Sequence, residues 1–473
     1  MLEPGIIVQR FLDTKLQVHP DVVRFLAEHG NQELLEKVVS EIPEDTIVVS
    51  PKHVPGMGLT RDGTRFLSDP EAEVLKGMEG SSGGVRGVED YLHYFKDRYD
   101  QLGGMIRGRC SAMPIEALTR TRYRQEQCTV IGLVSEVRTT ANGHRRVDLE
   151  DATGSFPVLF NKDRPGFSEA EALLPDEVIG VRGTLSGDGK LLFADQLLRP
   201  DIPHSHAPFM SNTPGRAVLI SDVHVGSDTF LGDAWERFSE WVSRENPSYL
   251  LIAGDLVDGI GVYPGQEAEL TIKNIYKQYE FFGDLLSTLP SRLKIILSPG
   301  NHDVVRGAEP QPAIPRKFTE NFPRNCVFVE NPALVSLQGV RVLMYHGRSI
   351  DDQISLTPGA SYENPAPMME WMLKRRHLAP TYGKKTPIAA DRQDHLLIDP
   401  VPEVLLTGHV HVMGMIQYHG TLGINAGTWQ SQTAFQKQMN INPTPGIAVS
   451  LDLQTLEPEI YNFAEGSDQS AVG

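Results

Sequence analysis

The sequence predicts a multidomain α/β (α+β) protein with a small helical module, a closed β-barrel and a larger layered α/β domain, in that order. Three observations predict it. The chain's 473 residues exceed what one hydrophobic core organises, and its 40 % hydrophobic content can fill several. Between residues 127 and 200, five short runs have the composition and turn signals of successive strands. From residue 214 onward, apolar runs of four to six residues recur with connections of varied length, as buried strands do.

The elements follow in order. Residues 1–43 read as a helical module: "PGIIVQRFL", then "PDVVRFLAEHG" with Pro20 near its start and Gly30 as a stop, then "NQELLEKVVSEI" with Asn31 as N-cap. Residues 44–88 are rich in Gly, Ser and Pro and have no periodicity, so a flexible linker is expected. Residues 89–126 form a helical connector, in which Tyr91, Phe95 and Tyr99 make a stripe suited to core or docking contacts. In residues 127–203, "CTVIGLVSEVRT" leads through Asn142-Gly143 into "RRVDLED", and "ATG" leads into "SFPVLF". The helix "SEAEALL", the strand "DEVIGVRGTL", an "SGDG" turn and "LLFADQLL" complete the set. Five strands with a helix between the third and fourth are the pattern of an OB-fold barrel. Such barrels bind single strands on aromatic platforms, but the candidates here, Phe156, Phe160 and Phe193, are as easily core, which favours docking over DNA gripping.

Composition narrows the function. A formal net charge of −17 opposes gripping nucleic acid through a basic face, so either the substrate is small or metals and a partner supply positive charge. Cys110, Cys128 and Cys326 are far apart and in no metal-ligand spacing, so three reduced thiols are expected. No secretory signal or membrane-spanning run is visible, which leads to the expectation of a cytoplasmic protein with no membrane partner.

In residues 214–465, five apolar runs are each followed at once by polar residues. "RAVLI" leads to Asp222 and His224, "YLLIA" to Asp255 and Asp258, and "LKIIL" to Asn301, His302 and Asp303. "RVLMY" leads to His346, and "EVLLT" to His409 and His411. Residues after several strands converge on one rim of a layered sheet, where such folds place active sites. Singly, Asp-x-His or Gly-Asp is ordinary loop chemistry. Gly-Asn-His-Asp and Gly-His-x-His make poor core but good metal shells. Two divalent ions roughly 3.5–4 Å apart can activate a water and clamp a phosphate for in-line displacement. One carboxylate must then touch both ions, and Asp255, central in the series and preceded by a glycine, is the natural bridge. Imidazole, amide and carboxylate without thiolate suit manganese, iron or zinc.

The series "DVH…GDLVDG…GNHD…H…GHVH" resembles the calcineurin-like metallophosphoesterases from residue 216 to about 460. The resemblance implies their sandwich fold, with Asp222, His224, Asp255 and His411 on one metal ion and Asp255, Asn301, His346 and His409 on the other. It further implies His302 as the acid beside the scissile phosphate and Asp303 as the residue orienting it. "YHGRSIDDQI", "PMMEWMLKRRHLAPTYG" and "GINAGTWQSQTAFQKQMNINPTPG", placed after a barrel, resemble the small subunits of the archaeal D-family DNA polymerases. That resemblance implies a proofreading 3′→5′ exonuclease requiring two divalent ions, manganese first among them. Its implied partners are a large polymerizing subunit and single-stranded or mismatched DNA ends. Related accessory subunits of eukaryotic polymerases have lost metal ligands, whereas every ligand position is filled here. Two other readings compete: a stand-alone phosphoesterase or repair nuclease, and a scaffold that only docks the polymerase. "KRRHLAP", residues 374–380, is one of few basic runs and could steer a strand toward the rim or simply form a solvated helix end.

Overall fold

A computed structural model describes residues 3–14, 16–18, 20–29, 32–42, 48–49, 54, 58–59, 65–66, 70–77, 87–119 and 127–464. The N-terminal module consists of Pro4–Asp13 (α1), Gln17–Val18 (β1), Pro20–His29 (α2), Gln32–Glu41 (α3) and Val48–Val49 (β2). Its helices bury residues three or four apart, Ile7 and Phe11, Val22 and Leu26, Leu35 and Val38, around one small core. Gly30 and Asn31 lie outside the described residues, as does much of the expected linker. Within that linker, Gly58–Leu59 (β3) pairs with Arg65–Phe66 (β4), and Ala72–Lys76 (β5) forms the edge of a large sheet. The structure therefore corrects the linker reading at β5. Its partner lies more than 250 residues away, and Val74 and Leu75 stay half exposed, so the segment carries no local strand signal.

Val88–Arg107 (α4) has Glu89 and Asp90 in its first turn and Arg107 in its last, matching the helix dipole. Its most buried face is Tyr94, Arg98, Leu102 and Ile106, offset by one residue around the helix from the predicted aromatic stripe. Tyr91 and Phe95 pack edge-on against Tyr382, and the Tyr99 hydroxyl donates to the Ile131 carbonyl at 3.2 Å. The stripe is thus a docking contact between α4 and its neighbours.

The barrel is closed in the order β10-β8-β7-β6-β9 by Gln127–Thr139 (β6), Arg145–Asp151 (β7), Gly154–Phe160 (β8), Val178–Leu185 (β9) and Leu192–Leu198 (β10). Helix Phe167–Glu171 (α5) sits between the third and fourth strands, as the spacing predicts. Phe156 and Phe160 are core and Phe193 alone is exposed, so the three do not form a shared stacking platform.

The remaining chain, with β5 added at one edge, forms two six-stranded sheets. Its elements are Arg216–Ile220 (β11), Gly232–Glu245 (α6), Tyr249–Ala253 (β12), Ile275–Ser287 (α7), Lys294–Ser298 (β13), Cys326–Phe328 (β14), Ala333–Leu337 (β15) and Val340–Met344 (β16). Ile350–Leu356 (α8), Ala366–Arg375 (α9), Val404–Thr407 (β17), Gly414–Tyr418 (β18), Thr421–Asn425 (β19), Ala434–Gln438 (α10), Ile447–Asp452 (β20) and Pro458–Asn462 (β21) follow. The sheet orders are β14-β13-β12-β11-β20-β21 and β18-β19-β17-β16-β15-β5. Ala217, Leu219 and Leu251 of the first sheet meet Val335, Val342 and Leu406 of the second in a shared core. The alternate residues Val218, Ile220, Leu250 and Ile252 face Trp235, Phe238 and Phe282 of α6 and α7. Leu343 and Leu405 face Met369 and Met372 of α9. Burial on both faces explains the unbroken apolar runs.

The "KRRHLAP" run is an interior ion-pair hub, and both surface readings of it are corrected. Arg375 is buried with its Nε 2.7 Å from Glu177, Arg376 donates to the Ile398 carbonyl, and His377 pairs with Asp394 at 2.8 Å. Lys374 is the partly exposed member of the run and pairs with Glu370. No helix among the described residues is long and apolar enough to cross a membrane. Cys110, Cys128 and Cys326 are free thiols.

Candidate functional site

The parallel strands β11, β12 and β13 of the first sheet and β16 and β17 of the second end in the loops that carry the predicted site residues. Asp222, His224, Asp255, His409 and His411 all adopt left-handed backbone conformations, with φ of 52°, 52°, 48°, 73° and 61°. Such residues cost about 1–3 kcal/mol each and concentrate at functional sites. The strained turns are tied together. Asp222 N–H donates to the Gly254 carbonyl, His224 N–H to the Asp255 carbonyl, and His409 N–H to the Asp222 carboxylate. Two glycines are dictated by crowding: a Cβ on Gly254 would lie 2.4 Å from His346 Nδ1, and one on Gly408 would lie 2.2 Å from Asp222 Oδ2.

Two groups of side chains converge. Asp222, His224 and His411 form one, with His411 Nε2 3.0 Å from His224 Nε2 and 3.4 Å from Asp222 Oδ1. Asp255, His346 and His409 form the other, and Asn301 adds its amide oxygen, with Oδ1 3.1 Å from His346 Nε2. Asp255 Oδ2 lies between the groups, 3.7 Å from His224 Nε2 and 3.2 Å from His346 Nε2. All seven predicted ligand residues are therefore neighbours, and Asp255 occupies the middle. Nδ1–H of His346 donates to the Ala253 carbonyl at 2.9 Å, and Nδ1–H of His224 to Asp258 at 3.0 Å, which leaves each Nε2 turned toward the acids.

The electrostatics match a cation site. Burial would push the Asp255 carboxyl up, yet the charges of His346 and His302 hold it well below the usual range. Burial would likewise lower His224 and His346, but the surrounding carboxylates push them up to about 10 and about 9. Imidazoles, carboxylates and an amide oxygen gathered this closely fit two divalent cations of the manganese, iron or zinc type. Ligation through His411 Nε2 puts the ring proton on Nδ1, where it can be held only if the Gln436 amide, 2.8 Å away, turns its oxygen toward the ring.

His302 and Asp303 separate in role. His302 Nδ1 lies 2.8 Å from the Asp258 carbonyl and must donate to it, leaving Nε2 free. Asp303 does not orient that ring. Its carboxylate accepts from Gly300 N–H at 2.8 Å, Leu256 N–H at 3.2 Å and the Tyr279 hydroxyl at 2.7 Å, so it braces the turn itself. A carboxylate facing three donors of the backbone and a neighbouring helix is already satisfied, so the orienting role that the metallophosphoesterase resemblance implies for Asp303 is not the one its contacts give it. Asp258 is the residue missed as a partner: it holds His302 through its carbonyl and His224 through its carboxylate, and Gln266 and Gln430 fix it in turn. Its position in "GDLVDG" was the available signal. Asp351, 3.3 Å from His409 Nε2, had none.

His224, Asp255, Asn301, His302, His409 and His411 line an open cleft, with Asp222 and His346 buried behind it. The family of DNA polymerase alpha/epsilon B subunits matches residues 217–412, which span the cleft's strand ends. The "DNA polymerase II small subunit" of Archaeoglobus fulgidus (strain ATCC 49558 / DSM 4304 / JCM 9628 / NBRC 100126 / VC-16) is 44% identical over 473 residues, 94% of this chain and 95% of the relative. Proteins of the same name from Halobacterium salinarum (strain ATCC 29341 / DSM 671 / R1) and Thermoplasma acidophilum (strain ATCC 25905 / DSM 1728 / JCM 9062 / NBRC 15155 / AMRC-C165) are 43% and 35% identical. They cover 88% and 98% of this chain, and the chain covers 81% and 93% of them. On this similarity over most of its length, the chain belongs to the family of archaeal DNA polymerase II small subunits.

Proposed function

We propose that this chain is the proofreading 3′→5′ exonuclease component of a two-subunit DNA polymerase, built on an OB-fold barrel and a calcineurin-like metallophosphoesterase sandwich. The observation that carries the reading is Asp255 Oδ2, set between His224 and His346 and hence between two groups of ligand-type side chains. In this reading Asp222, His224, Asp255 and His411 hold one divalent ion, and Asp255, Asn301, His346 and His409 the other. Bound there, the ions would supply an activated water and neutralise phosphate charge. The chain's own residues do the rest: Asp258 fixes His224 and His302, and His302 presents Nε2 to the leaving oxygen. Labelled single-stranded DNA should release mononucleotides from its 3′ end in manganese, lose that reaction in EDTA and regain it on adding manganese. Activity that survives thorough chelation would exclude the two-ion reading.

The name shared by the relatives implies a large subunit, which we propose as the partner. Co-expression with a candidate large subunit should give a stable complex that degrades DNA faster than the chain alone, because the acidic chain has little means of holding a strand. Equal degradation with and without that subunit would favour the stand-alone enzyme.

A further inference from the structure

The cleft has an apolar wall that phosphoester chemistry does not require. Helix α10 is fixed by a capping box, with Thr433 accepting from Gln436 N–H and the Gln436 side chain accepting from Thr433 N–H. That box also holds the Gln436 amide on His411. Phe435 of this short helix and Met439 at its C-cap, one turn apart, stand in the cleft lining, where they are 60% and 54% exposed. Two large apolar side chains left exposed beside a ligand-type histidine call for an occupant.

We propose that Phe435 and Met439 form a subsite for the nucleobase of an unpaired strand end whose phosphodiester lies against the histidine and carboxylate cluster. The subsite rests on the phosphodiesterase reading. Charge favours this occupant. Among the described residues, Asp255, Asp258 and Asp351 line the cleft against the single lysine Lys385, and the whole chain carries −17, so a strand gains little from the protein's own charge. Base stacking on an aromatic ring is the uncharged alternative and is tolerant of sequence. The barrel's buried Phe156 and Phe160 cannot provide it. At another part of the cleft, Tyr263 stands with its ring 6.3 Å from that of His302 and its hydroxyl committed to Glu269, leaving the ring as a second apolar contact. In a duplex each base is paired and stacked on its neighbours. Drawing a paired terminal base to the wall costs its pairing and its inner stacking, a cost that is least for a frayed or mismatched base, so the subsite selects the ends that proofreading must remove.

The test uses the full chain in calcium, with 5′-labelled single strands that end either in a normal nucleotide or in an abasic one, followed by fluorescence anisotropy. The wild type should prefer the strand with a terminal base by roughly 5- to 100-fold. Phe435→Ala should bind both strands alike, Phe435→Trp should keep the preference, and Met439→Ala should weaken it. Phe435 is exposed, so the alanine variant should fold; circular dichroism checks this. An unchanged preference in Phe435→Ala, or no preference in the wild type, overturns the proposal. If Phe435→Ala keeps the preference but no longer captures the large subunit, the wall is a protein contact instead. Hydrolysis in manganese is measured in parallel. A Phe435-dependent base preference without hydrolysis would leave the subsite standing and remove the exonuclease reading.

Discussion

His302→Ala is expected to lower turnover by roughly 10²–10⁴-fold at saturating manganese, the range for loss of general acid catalysis, while metal content stays that of the wild type. The backbone explains why content should hold. Asp255 is fixed by the N–H of residue 302, at 2.8 Å from Oδ1, and alanine keeps that donor. The side chain contributes elsewhere: with Nδ1 committed to the Asp258 carbonyl, any proton it delivers must sit on Nε2. Asn301→Ala should fail differently. It removes the oxygen 3.1 Å from His346 Nε2, so one ion should bind more weakly and high manganese should partly restore turnover. Metal analysis of both folded variants separates the cases. His302 also lies with His224 and Asp255 in a group that could itself hold an ion, so an alanine variant that loses its metal would reassign His302 as a ligand. Wild-type activity in that variant would remove it from the chemistry altogether.

The sequence revealed the ligand set because of how the strands are buried. β11 and β12 coincide with "RAVLI" and "YLLIA", since strands covered on both faces are largely apolar and end where polar residues begin. Residues placed just after such strands need no knowledge of tertiary structure to be grouped. Their conformation was not legible. Nothing in "SDVHVG" or "GHVH" announces a left-handed turn at Asp222 or His411, because only glycine adopts that region by preference and neither residue is glycine. The role that the family resemblance implies for Asp303 fails on local geometry. Neighbours in sequence point in unrelated directions once the backbone turns, and Asp303 found Tyr279 on α7 rather than the ring beside it.

Charge misled for a related reason. A run of Lys and Arg at a helix end reads as solvated unless buried acids meet it, and those acids come from distant parts of the chain. Glu177 precedes β9 of the barrel, and Asp394 lies in a loop of the larger domain. Neither position has a local feature that marks it as a partner for α9 or α4. β5, paired across more than 250 residues, was hidden in the same way.

Glu177→Ala should cost about 3–5 kcal/mol of stability, because it strands two buried guanidinium groups. Glu177 Oε1 accepts from Arg375 Nε at 2.7 Å and from Leu174 N–H at 2.8 Å, and Oε2 pairs with Arg199. Burial alone would raise the Glu177 carboxyl, yet the two arginines hold it below its ordinary value. Both guanidinium groups also lie over the Trp371 ring, at 5.0 and 4.9 Å from its centroid, so they cannot follow the lost charge to solvent without unpacking α9. The damage should concentrate where the barrel meets the larger domain, since Arg199 follows β10 and Arg375 ends α9. Chemical denaturation should show a lowered midpoint, and limited proteolysis should cut between the two. The exposed pair Lys96 and Asp100 on α4 is the control, and its removal should leave the midpoint in place. Replacing Glu177, Arg199 and Arg375 together by Met or Leu should recover much of the loss, because the penalty comes from uncompensated charge more than from missing attraction. A Glu177→Ala chain with a wild-type midpoint would mean that the junction is held by its apolar contacts alone.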